Sequence, residues 1–388
     1  MQSPKPGREI LLDVSRLVWR VWSGRLPTGV DRVCLAYLDH FRDRSQAVMQ
    51  RGGWQVILSP AQSDRLYRLL LDGRATKASD LLRFFLAFAW RGARRSVARR
   101  GLVYLNVGHT GLNESSLPNW IAANGLRAVY LIHDLIPLTH PEFCRPGEAQ
   151  KHSERIRNVL ASASGVIVNS QTTIDELAAF AKSNALEMPP QAVAWIAGYT
   201  SGAAKPKALD RPYFLTVGTI EGRKNHLLLL QVWRRLVADL GNRAPILVIV
   251  GQRGWEAERA FEILDQLGAL EGHVLELGTC GDEELADWIA GARALLMPSF
   301  TEGFGLPVIE SLELGTPVIA SDLPVYREIV GSIPTYLDPL DSSGWARSIK
   351  AFSSAATERE RQKAQMAAYR APTWERHFQI VEAWLQRF

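Results

Sequence analysis

Cysteine is scarce in this sequence, and none of it is arranged in pairs. Among 388 residues, Cys34, Cys144 and Cys280 stand far apart and form no Cys-x-x-Cys motif. Neither a disulfide framework nor a structural zinc site is therefore predicted. Long apolar runs are also missing, since none approaches the ~18 residues that a membrane-spanning helix requires. Residues 1–8 are polar and contain proline, so we expect no signal peptide and a cytoplasmic location.

No recognisable DNA-binding or RNA-binding module occurs, so nucleic acid is not an expected partner, although the net charge is +5 and the pI about 9.1. The composition that is present, 47% hydrophobic and 22% charged residues, is that of a globular protein. A chain of 388 residues is too long for one ordinary hydrophobic core and suits two domains of typical size.

Short β-rich runs alternate with longer helical patterns, and the alternation restarts after a turn-rich connection at residues 198–212. This order is typical of parallel sheets. We predict an α/β protein with two doubly wound, Rossmann-like domains, residues 1–205 and 206–369, facing a central cleft. The predicted strands cover residues 10–14, 54–58, 103–107, 128–132 and 165–169, and then 213–217, 245–250, 274–277, 294–297, 317–320 and 335–337.

The most informative block extends from Glu302 to Glu310 and predicts a binding loop that leads into a helix. Pro307 suits the first turn of that helix. Gly303 and Gly305 allow backbone N–H groups to approach a ligand, and the helix N-terminus favours anionic oxygens. Both carboxylates can accept hydrogen bonds from hydroxyl groups. The loop therefore predicts a hydroxyl-rich, phosphate-bearing ligand; the alternative is an ordinary turn with two surface glutamates.

Residues 300–307 together with Glu310 closely resemble the signature of retaining glycosyltransferases of family four, which have the GT-B fold. In that fold the last helix crosses back to the N-terminal domain, so the resemblance implies that residues 370–388 pack on residues 1–205. It also implies that residues 206–369 bind a nucleotide-sugar donor. Further segments that resemble the family are residues 132–134, 217–225, 315–322, 328–331 and 337–341.

The resemblance also implies the donor site. Lys224 matches the family lysine that reaches the donor diphosphate, and Arg223 stands beside it. The family often carries an arginine where this chain has Thr219, which leaves Arg223 and backbone donors to share the charge. Taken without context, such a pair is a solvated surface patch. The implied donor-binding residues are Gly218, Arg223, Lys224, Gly251, Glu302, Gly303, Phe304, Gly305, Leu306 and Glu310.

In the first domain, His133 and Asp134 follow a predicted strand at the sheet edge where α/β proteins bind ligands. By resemblance, His133 lies near the donor sugar; the alternative is a structural histidine whose ring satisfies backbone groups. The implied catalytic residues are His133, Lys224 and Glu302. The implied acceptor-side residues are Thr28, Gly29, Asp31, Arg32, His109 and Asp134.

The sequence contains no Asp-x-Asp triplet, which many metal-dependent glycosyltransferases of the other major fold use to hold a divalent ion. The resemblance implies transfer without a metal or cofactor, in which lysine, arginine and a helix dipole neutralise the diphosphate. It also implies retention at the anomeric carbon, with the leaving phosphate helping to deprotonate the acceptor hydroxyl.

Residues 80–100 combine an apolar stripe with a basic end. Such a helix can lie on an anionic membrane, which would bring a lipid-linked acceptor close and make the protein peripheral to the membrane. The alternative is a core helix with a solvated basic end. The apolar residues are Leu81, Leu82, Phe84, Phe85, Leu86, Phe88 and Trp90, and the basic ones are Arg91, Arg94, Arg95, Arg99 and Arg100.

Three classes of function follow. The first is a retaining glycosyltransferase that moves a hexose to a glycan or lipid-linked saccharide in surface polysaccharide synthesis. Mannose from GDP-mannose is the favoured donor because residues 218–225 and 28–32 resemble mannosyltransferases of polysaccharide assembly. The second is a GT-B sugar-nucleotide epimerase or hydrolase. The third is a catalytically silent member that binds nucleotide sugar or glycan, and the presence of Glu302, Glu310, Lys224 and His133 argues against it.

Overall fold

The structure is a computed structural model that describes residues 7–24, 28–72, 78–90, 100–198, 204–354 and 357–387, without the side chains of residues 87–90. The chain forms two compact units. The first comprises Met1–Leu135, Ala149–Ile196 and Trp374–Phe388, and the second comprises Ile136–Glu148 and Ala197–Thr373. The chain thus changes unit after Ile196, earlier than residue 205, because the first sheet is complete a few residues before that point.

The first unit contains a sheet of seven strands in the order β3-β2-β1-β4-β5-β6-β7. All neighbouring strands are parallel except β2 and β3. The strands are β1 (Ile10–Asp13), β2 (Ser45–Arg51), β3 (Trp54–Ile57), β4 (Val103–Asn106), β5 (Arg127–Ile132), β6 (Ala163–Val168) and β7 (Gln191–Val193).

The helices of this part of the chain are α1 (Ser15–Ser23), α2 (Gly29–Phe41), α3 (Pro60–Leu71), α4 (Ala78–Trp90), α5 (Ser116–Ala123), α6 (Ile136–Thr139), α7 (Glu148–Ser162) and α8 (Gln171–Ser183). By its contacts α6 belongs to the second unit. Every residue of β1 and β4 is buried. This explains why the sequence reads there as continuous apolar runs, since helices cover both faces of a parallel sheet.

The second unit contains a sheet of six parallel strands in the order β10-β9-β8-β11-β12-β13. The strands are β8 (Tyr213–Val217), β9 (Ile246–Val250), β10 (Val274–Glu276), β11 (Leu295–Met297), β12 (Val318–Ser321) and β13 (Thr335–Leu337). The helices are α9 (His226–Leu240), α10 (Glu258–Asp265), α11 (Asp282–Gly291), α12 (Leu306–Glu313), α13 (Pro324–Val330), α14 (Ser342–Ser353) and α15 (Thr357–Met366).

Two fully buried tryptophans anchor the core of the second unit on the side of α9 and α14. Trp233 and Trp345 are both 0% exposed. Their polar ends are satisfied, because the indole N–H of Trp233 donates to the Pro245 carbonyl at 2.9 Å and that of Trp345 to the Asp338 carbonyl at 3.0 Å. Burying such rings with their N–H groups paired stabilises the sheet that presents the binding loops.

The last helix, α16 (Trp374–Leu385), packs on the first unit. His377 is buried between Tyr37 and the backbone of Ala194, with contacts of 2.8 Å and 3.1 Å. Because Ala194 offers only a carbonyl oxygen, Nδ1 of His377 donates and Nε2 accepts from the Tyr37 hydroxyl. Burial lowers the pKa of His377 to about 4, so the ring is neutral. Phe378 stacks on His40 with ring centroids 3.8 Å apart.

Every predicted strand is present, but β2 and β7 were not predicted. In β2, polar residues interrupt the apolar ones, and β7 has only 3 residues, so neither has a clear apolar pattern.

Helix α4 has a feature of each alternative that was given for residues 80–100, the core helix and the helix on a membrane surface. Leu81 and Phe84 are buried, whereas Leu82 and Leu86 are 46% and 61% exposed. Residues 91–99, which carry most of the basic charge, lie outside the described residues. No helix in the described ranges is long and apolar enough to cross a membrane.

Candidate functional site

The topology of the second sheet places two loops side by side. Strand order reverses between β8 and β11, and α/β sheets bind ligands at the carboxyl ends of strands at such a switch point. The loop after β8 contains Arg223 and Lys224, and the loop after β11 contains Glu302. The two loops are joined by their backbones, because the N–H of Phe300 donates to the Arg223 carbonyl at 2.8 Å.

Glu302 is held by both cations of the neighbouring loop. Lys224 Nζ donates to its Oε1 at 2.6 Å, and Arg223 Nη1 donates to its Oε2 at 2.8 Å. The Ser299 hydroxyl also donates to Oε1, at 2.7 Å. Arg223 makes a second ion pair, of 2.7 Å, with the buried carboxylate of Glu221. The sequence did not predict these pairs. Glu302 and Glu221 contact the cations that were assigned to the donor diphosphate.

The electrostatics of this cluster follow from its burial. Burial by itself raises the pKa of Glu302, but Lys224 and Arg223 outweigh it and bring this pKa down to about 2. Burial lowers the pKa of Lys224, and the negative charge of Glu302 opposes that effect. A carboxylate with two cations and a hydroxyl donor remains ionised at any physiological pH. The cluster therefore contains two cations and two carboxylates, and both cations are already held in place.

The glycines of this region allow close approach of backbone segments. Gly218 has a φ of +133°, and a Cβ there would lie 3.2 Å from Lys224 Cε. At Gly251 a Cβ would lie 1.9 Å from the Gly218 carbonyl oxygen. Glycine at position 251 thus lets the loops after β8 and β9 touch. This contact is a structural reason for glycine at a position that was predicted to lie beside the nucleotide. Asn225, at φ +54°, donates to the Pro298 and Pro339 carbonyls at 3.2 Å and 2.9 Å.

The predicted glycine loop and helix are present. Gly305, with a φ of +94°, is the residue before α12, and a Cβ on it would lie 2.4 Å from Tyr326 Cε1. Phe304 is buried, and Leu306 begins the helix. Glu310 is also buried, 3% exposed, and its Cγ lies 2.8 Å from where a Cβ on Gly198 would be. Gly303 lies in the loop between Glu302 and this helix.

In the first unit, His133 follows β5 and lies beside His109, with ring centroids 4.9 Å apart. His133 Nε2 donates to the Val107 carbonyl at 2.8 Å, and His109 Nε2 donates to the Leu131 carbonyl at 2.9 Å. Burial lowers the pKa of both rings, and for His109 the neighbouring His133 adds to this shift. Both histidines are thus neutral, with the Nε2 proton directed at the backbone. His109 adopts a left-handed backbone, φ +60°, which the sequence did not reveal.

The residues predicted for the acceptor side fall into two groups. Thr28 and Asp31 form a capping box at the start of α2, where Gly29 is the first helical residue. Asp31 also accepts from Arg16 Nε at 2.7 Å. These contacts stabilise the helix end, so Thr28 and Asp31 have a structural role in addition to any contact with an acceptor. Arg32 is half-buried on the same helix, and Asp134 follows His133.

A buried polar network in the first unit joins side chains whose contacts the sequence did not reveal. Asp13, at the end of β1, accepts from Gln50 Nε2 at 2.6 Å and from the Tyr104 hydroxyl at 2.8 Å. Asn106 Nδ2 donates to the Tyr104 hydroxyl at 3.1 Å. Burial raises the pKa of Asp13. A polar residue at the end of an apolar strand was the available signal, since such residues meet at one edge of a parallel sheet.

Within the described ranges, no three histidine, cysteine, aspartate or glutamate side chains are grouped so that they could hold a metal ion.

The second unit resembles a known protein family, and the chain is similar to several curated proteins. Residues 201–369 match the sequence profile of the family described as glycosyl transferases group 1. The chain is 31% identical to O-antigen chain mannosyltransferase B of Escherichia coli, over 58% of this chain and 61% of that protein. It is 29% identical to the serotype-specific mannosyltransferase WbdA of Escherichia coli, over 53% of this chain. The chain spans only 61% and 27% of the lengths of these two curated relatives.

Solved structures show the same fold. HepE from Anabaena, in a crystal structure with UDP and glucose, matches 98% of this chain and 100% of its own, with a TM-score of 0.65 and 15% sequence identity. At that identity the likeness concerns the fold alone. The prediction of a GT-B fold with two parallel-sheet α/β domains is confirmed.

Proposed function

We propose that this chain, whose residues 201–369 match the family described as glycosyl transferases group 1, is a retaining hexosyltransferase. It moves a hexose from a nucleotide sugar to a glycan or a lipid-linked saccharide in surface polysaccharide synthesis. The observation that carries this proposal is the cluster of Arg223, Lys224 and Glu302 at the switch point of the second sheet. Two cations fixed by a buried carboxylate are suited to bind an anionic diphosphate.

Mannose is the proposed sugar and GDP-mannose the proposed donor. Support comes from the relatives, which are named as mannosyltransferases. A solved structure of the same fold holds UDP and glucose, so UDP-glucose is the competing donor that an assay must include.

In the proposed mechanism Lys224 and Arg223 neutralise the leaving diphosphate, and no metal is required. The N-terminal end of α12 adds backbone N–H groups that favour an anion. Glu302 and Glu310 position hydroxyl groups of the donor, and Glu302 in addition holds the two cations. His133 lies near the donor sugar in this proposal, and the leaving phosphate assists deprotonation of the acceptor hydroxyl.

We also propose that the reaction takes place in the cytoplasm, with the protein at the inner face of the membrane. The exposed Leu82 and Leu86 of α4 support contact with a lipid surface, since apolar side chains on one helix face can enter the headgroup region.

Incubation with GDP-mannose, UDP-glucose and related donors tests the proposal. Nucleotide release with and without mannose oligosaccharides separates transfer from hydrolysis, and product analysis detects an epimerised sugar. We expect acceptor-dependent release with GDP-mannose that persists in EDTA. Strong inhibition by EDTA that magnesium reverses would refute metal-free transfer, and absence of turnover with every donor would contradict the enzyme proposal.

Substitution of Lys224 tests the site itself. We expect Lys224→Met to reduce kcat by about 100-fold or more, because a preorganised positive charge at the leaving group is lost. Lys350→Met is the matched control, since Lys350 forms an exposed pair with Asp239 at 2.7 Å on the surface of the same unit. Normal turnover in Lys224→Met would remove this lysine from the site.

A further inference from the structure

We infer that an aromatic groove in the first unit binds the sugar chain of the acceptor, several residues away from the reacting hydroxyl. This inference deepens the proposed function and depends on it for the identity of the ligand as an acceptor. The groove has a volume of about 650 Å³ and is formed by α1, the β2–β3 hairpin, α4 and the loop after β4. Among its lining residues are Trp19, Trp22, Trp54, Phe85, Gln50 and Glu114.

Three tryptophans in this groove expose much of their surface. Trp19, Trp22 and Trp54 are 53%, 45% and 68% exposed. Indole rings are rarely left so exposed without a partner, because each can bury a large apolar area. The guanidinium carbon of Arg51 lies over the Trp19 ring, 5.3 Å from its centroid. Flat aromatic rings suit the apolar C–H faces of pyranose sugars.

The groove has a polar floor. Gln50 is only 7% exposed, and its Nε2, which has two hydrogens, lies within hydrogen-bonding distance of Asp13, Tyr104 and the Thr110 carbonyl. Its Oε1 is buried and accepts no hydrogen bond within the described residues. This oxygen lies against Gly111, where a Cβ would come within 2.2 Å of it. A buried acceptor left unpaired costs free energy, and a ligand hydroxyl that reached it would remove this cost.

The groove also lies at the edge of the sheet where a ligand is expected, the carboxyl ends of the strands. Strand order in the first unit reverses between β1 and β4, and Ser15 and Thr110 of the groove follow these two strands. Thr110 directly follows His109, whose ring lies beside His133. A saccharide whose terminal hydroxyl is near His133 can therefore extend along the same edge into the groove.

These features favour a saccharide over a lipid surface as the occupant. The hydrocarbon core of a bilayer offers no hydrogen-bond donor to a buried amide oxygen, and a helix on a membrane surface inserts only its apolar face. The groove is concave, and it combines aromatic faces with Gln50, Arg51 and Glu114. Sugars supply both C–H faces and hydroxyl donors, so they match both parts of this surface.

The test measures binding without any donor. The full chain is titrated with mannohexaose, maltohexaose and cellohexaose, and dissociation constants are measured by calorimetry. We expect saturable binding of at least one, weakened about tenfold by Trp19→Ala and by Trp54→Ala, as for buried aromatic anchors. Trp195→Ala is the matched control, since Trp195 is 37% exposed and lies outside the groove. Thermal unfolding of each variant verifies folding.

Three outcomes would overturn the inference: no saturable binding of any hexasaccharide, equal affinity in the groove variants, or loss of binding to phosphatidylglycerol vesicles instead of loss of binding to sugars. Enzyme kinetics distinguishes failure of the groove inference from failure of the proposed function. If transfer occurs but the acceptor KM is unchanged in Trp54→Ala, the groove inference alone fails. If sugars bind in the groove but no donor is ever turned over, the enzyme proposal alone fails.

Discussion

Glu302 keeps its negative charge in a nearly water-free position because two cations and a hydroxyl reach it. Its side chain is 6% exposed, and that of Lys224 is 10% exposed. Such a cluster couples stability to function, because each charge needs the others in order to be buried. The interpretation of Glu302 as a clamp for hydroxyl groups stays a prediction, and the structure adds the task of positioning Lys224 and Arg223.

Removing the charge of Glu302 should destabilise the second unit. We expect Glu302→Gln to lower the free energy of unfolding by about 3 kcal/mol, because the buried Lys224 loses its ion-pair partner and Arg223 keeps only Glu221. The measurement is urea unfolding at neutral pH. Asp322→Asn is the control, since Asp322 forms an exposed pair with Arg327 at 2.7 Å, and only a small change is expected there. Equal effects in the two variants would contradict the role of burial.

Glu176 should make the stability of the first unit depend on pH. Burial raises its pKa to about 7, and the negative charge of Asp134 adds to the shift. A raised pKa means that the folded state holds the proton more tightly. The contribution of Glu176 to the free energy of unfolding is therefore complete below its ordinary pKa of about 4.5 and is lost as pH rises towards 7.

We expect the melting temperature of Glu176→Gln to exceed that of the wild type increasingly between pH 5 and pH 8, because the amide cannot ionise. Thermal unfolding across this range measures the difference. Asp175→Asn on the exposed side of the same helix is the control. A difference between Glu176→Gln and wild type that does not change with pH would show that the carboxyl group is ionised throughout.

At the scale of elements, the turn from β11 into α12 depends on one glycine for two reasons. Gly305 has a positive φ, and Tyr326 occupies the space that a side chain would need. The sequence predicted the glycine loop and the helix after Pro307. It could not show that a tyrosine from α13 packs on the glycine, because that contact joins positions far apart in the loop and the next helix.

Two glycines separate these effects. Gly315 also has a positive φ, +79°, but no atom lies within 4 Å of an added Cβ. We expect Gly315→Ala to cost about 1 kcal/mol from backbone strain alone. Gly305→Ala should cost about 2 kcal/mol more, because Tyr326 must move. Chemical denaturation measures both, and equal costs would mean that the ring shifts freely.

At the scale of the whole molecule, α16 lies at the end of the chain yet completes the core of the first unit. Phe378, Val381 and Trp384 are buried there. Glu382 forms an ion pair with Arg44 at 3.0 Å and a hydrogen bond with His40 at 2.7 Å. Neither unit is thus a continuous stretch of sequence. Residues 136–148 are a second example, since they belong to the second unit although the residues on both sides of them belong to the first.

Deleting residues 374–388 should therefore weaken the first unit more than the second. We expect faster hydrogen exchange in α2 and in the segment after β7, where Tyr37 and the carbonyl of Ala194 lose His377, and little change in β8 to β13. Mass spectrometry of the exchanged peptides measures this. The milder variant His377→Leu serves if the deletion does not fold, and uniform loss of protection in both units would contradict the assignment of α16.

The sequence by itself determined the α/β class, the predicted strands and the positions of the two binding loops. It could do so because apolar runs, glycine turns and helix starts are local patterns. Only the tertiary structure decided which side chains meet. The pairing of Glu302 with Lys224 and Arg223, the contact of His109 with His133 and the aromatic groove around Trp54 each join residues from different strands or helices. Sheet order, rather than any local pattern, brings them together.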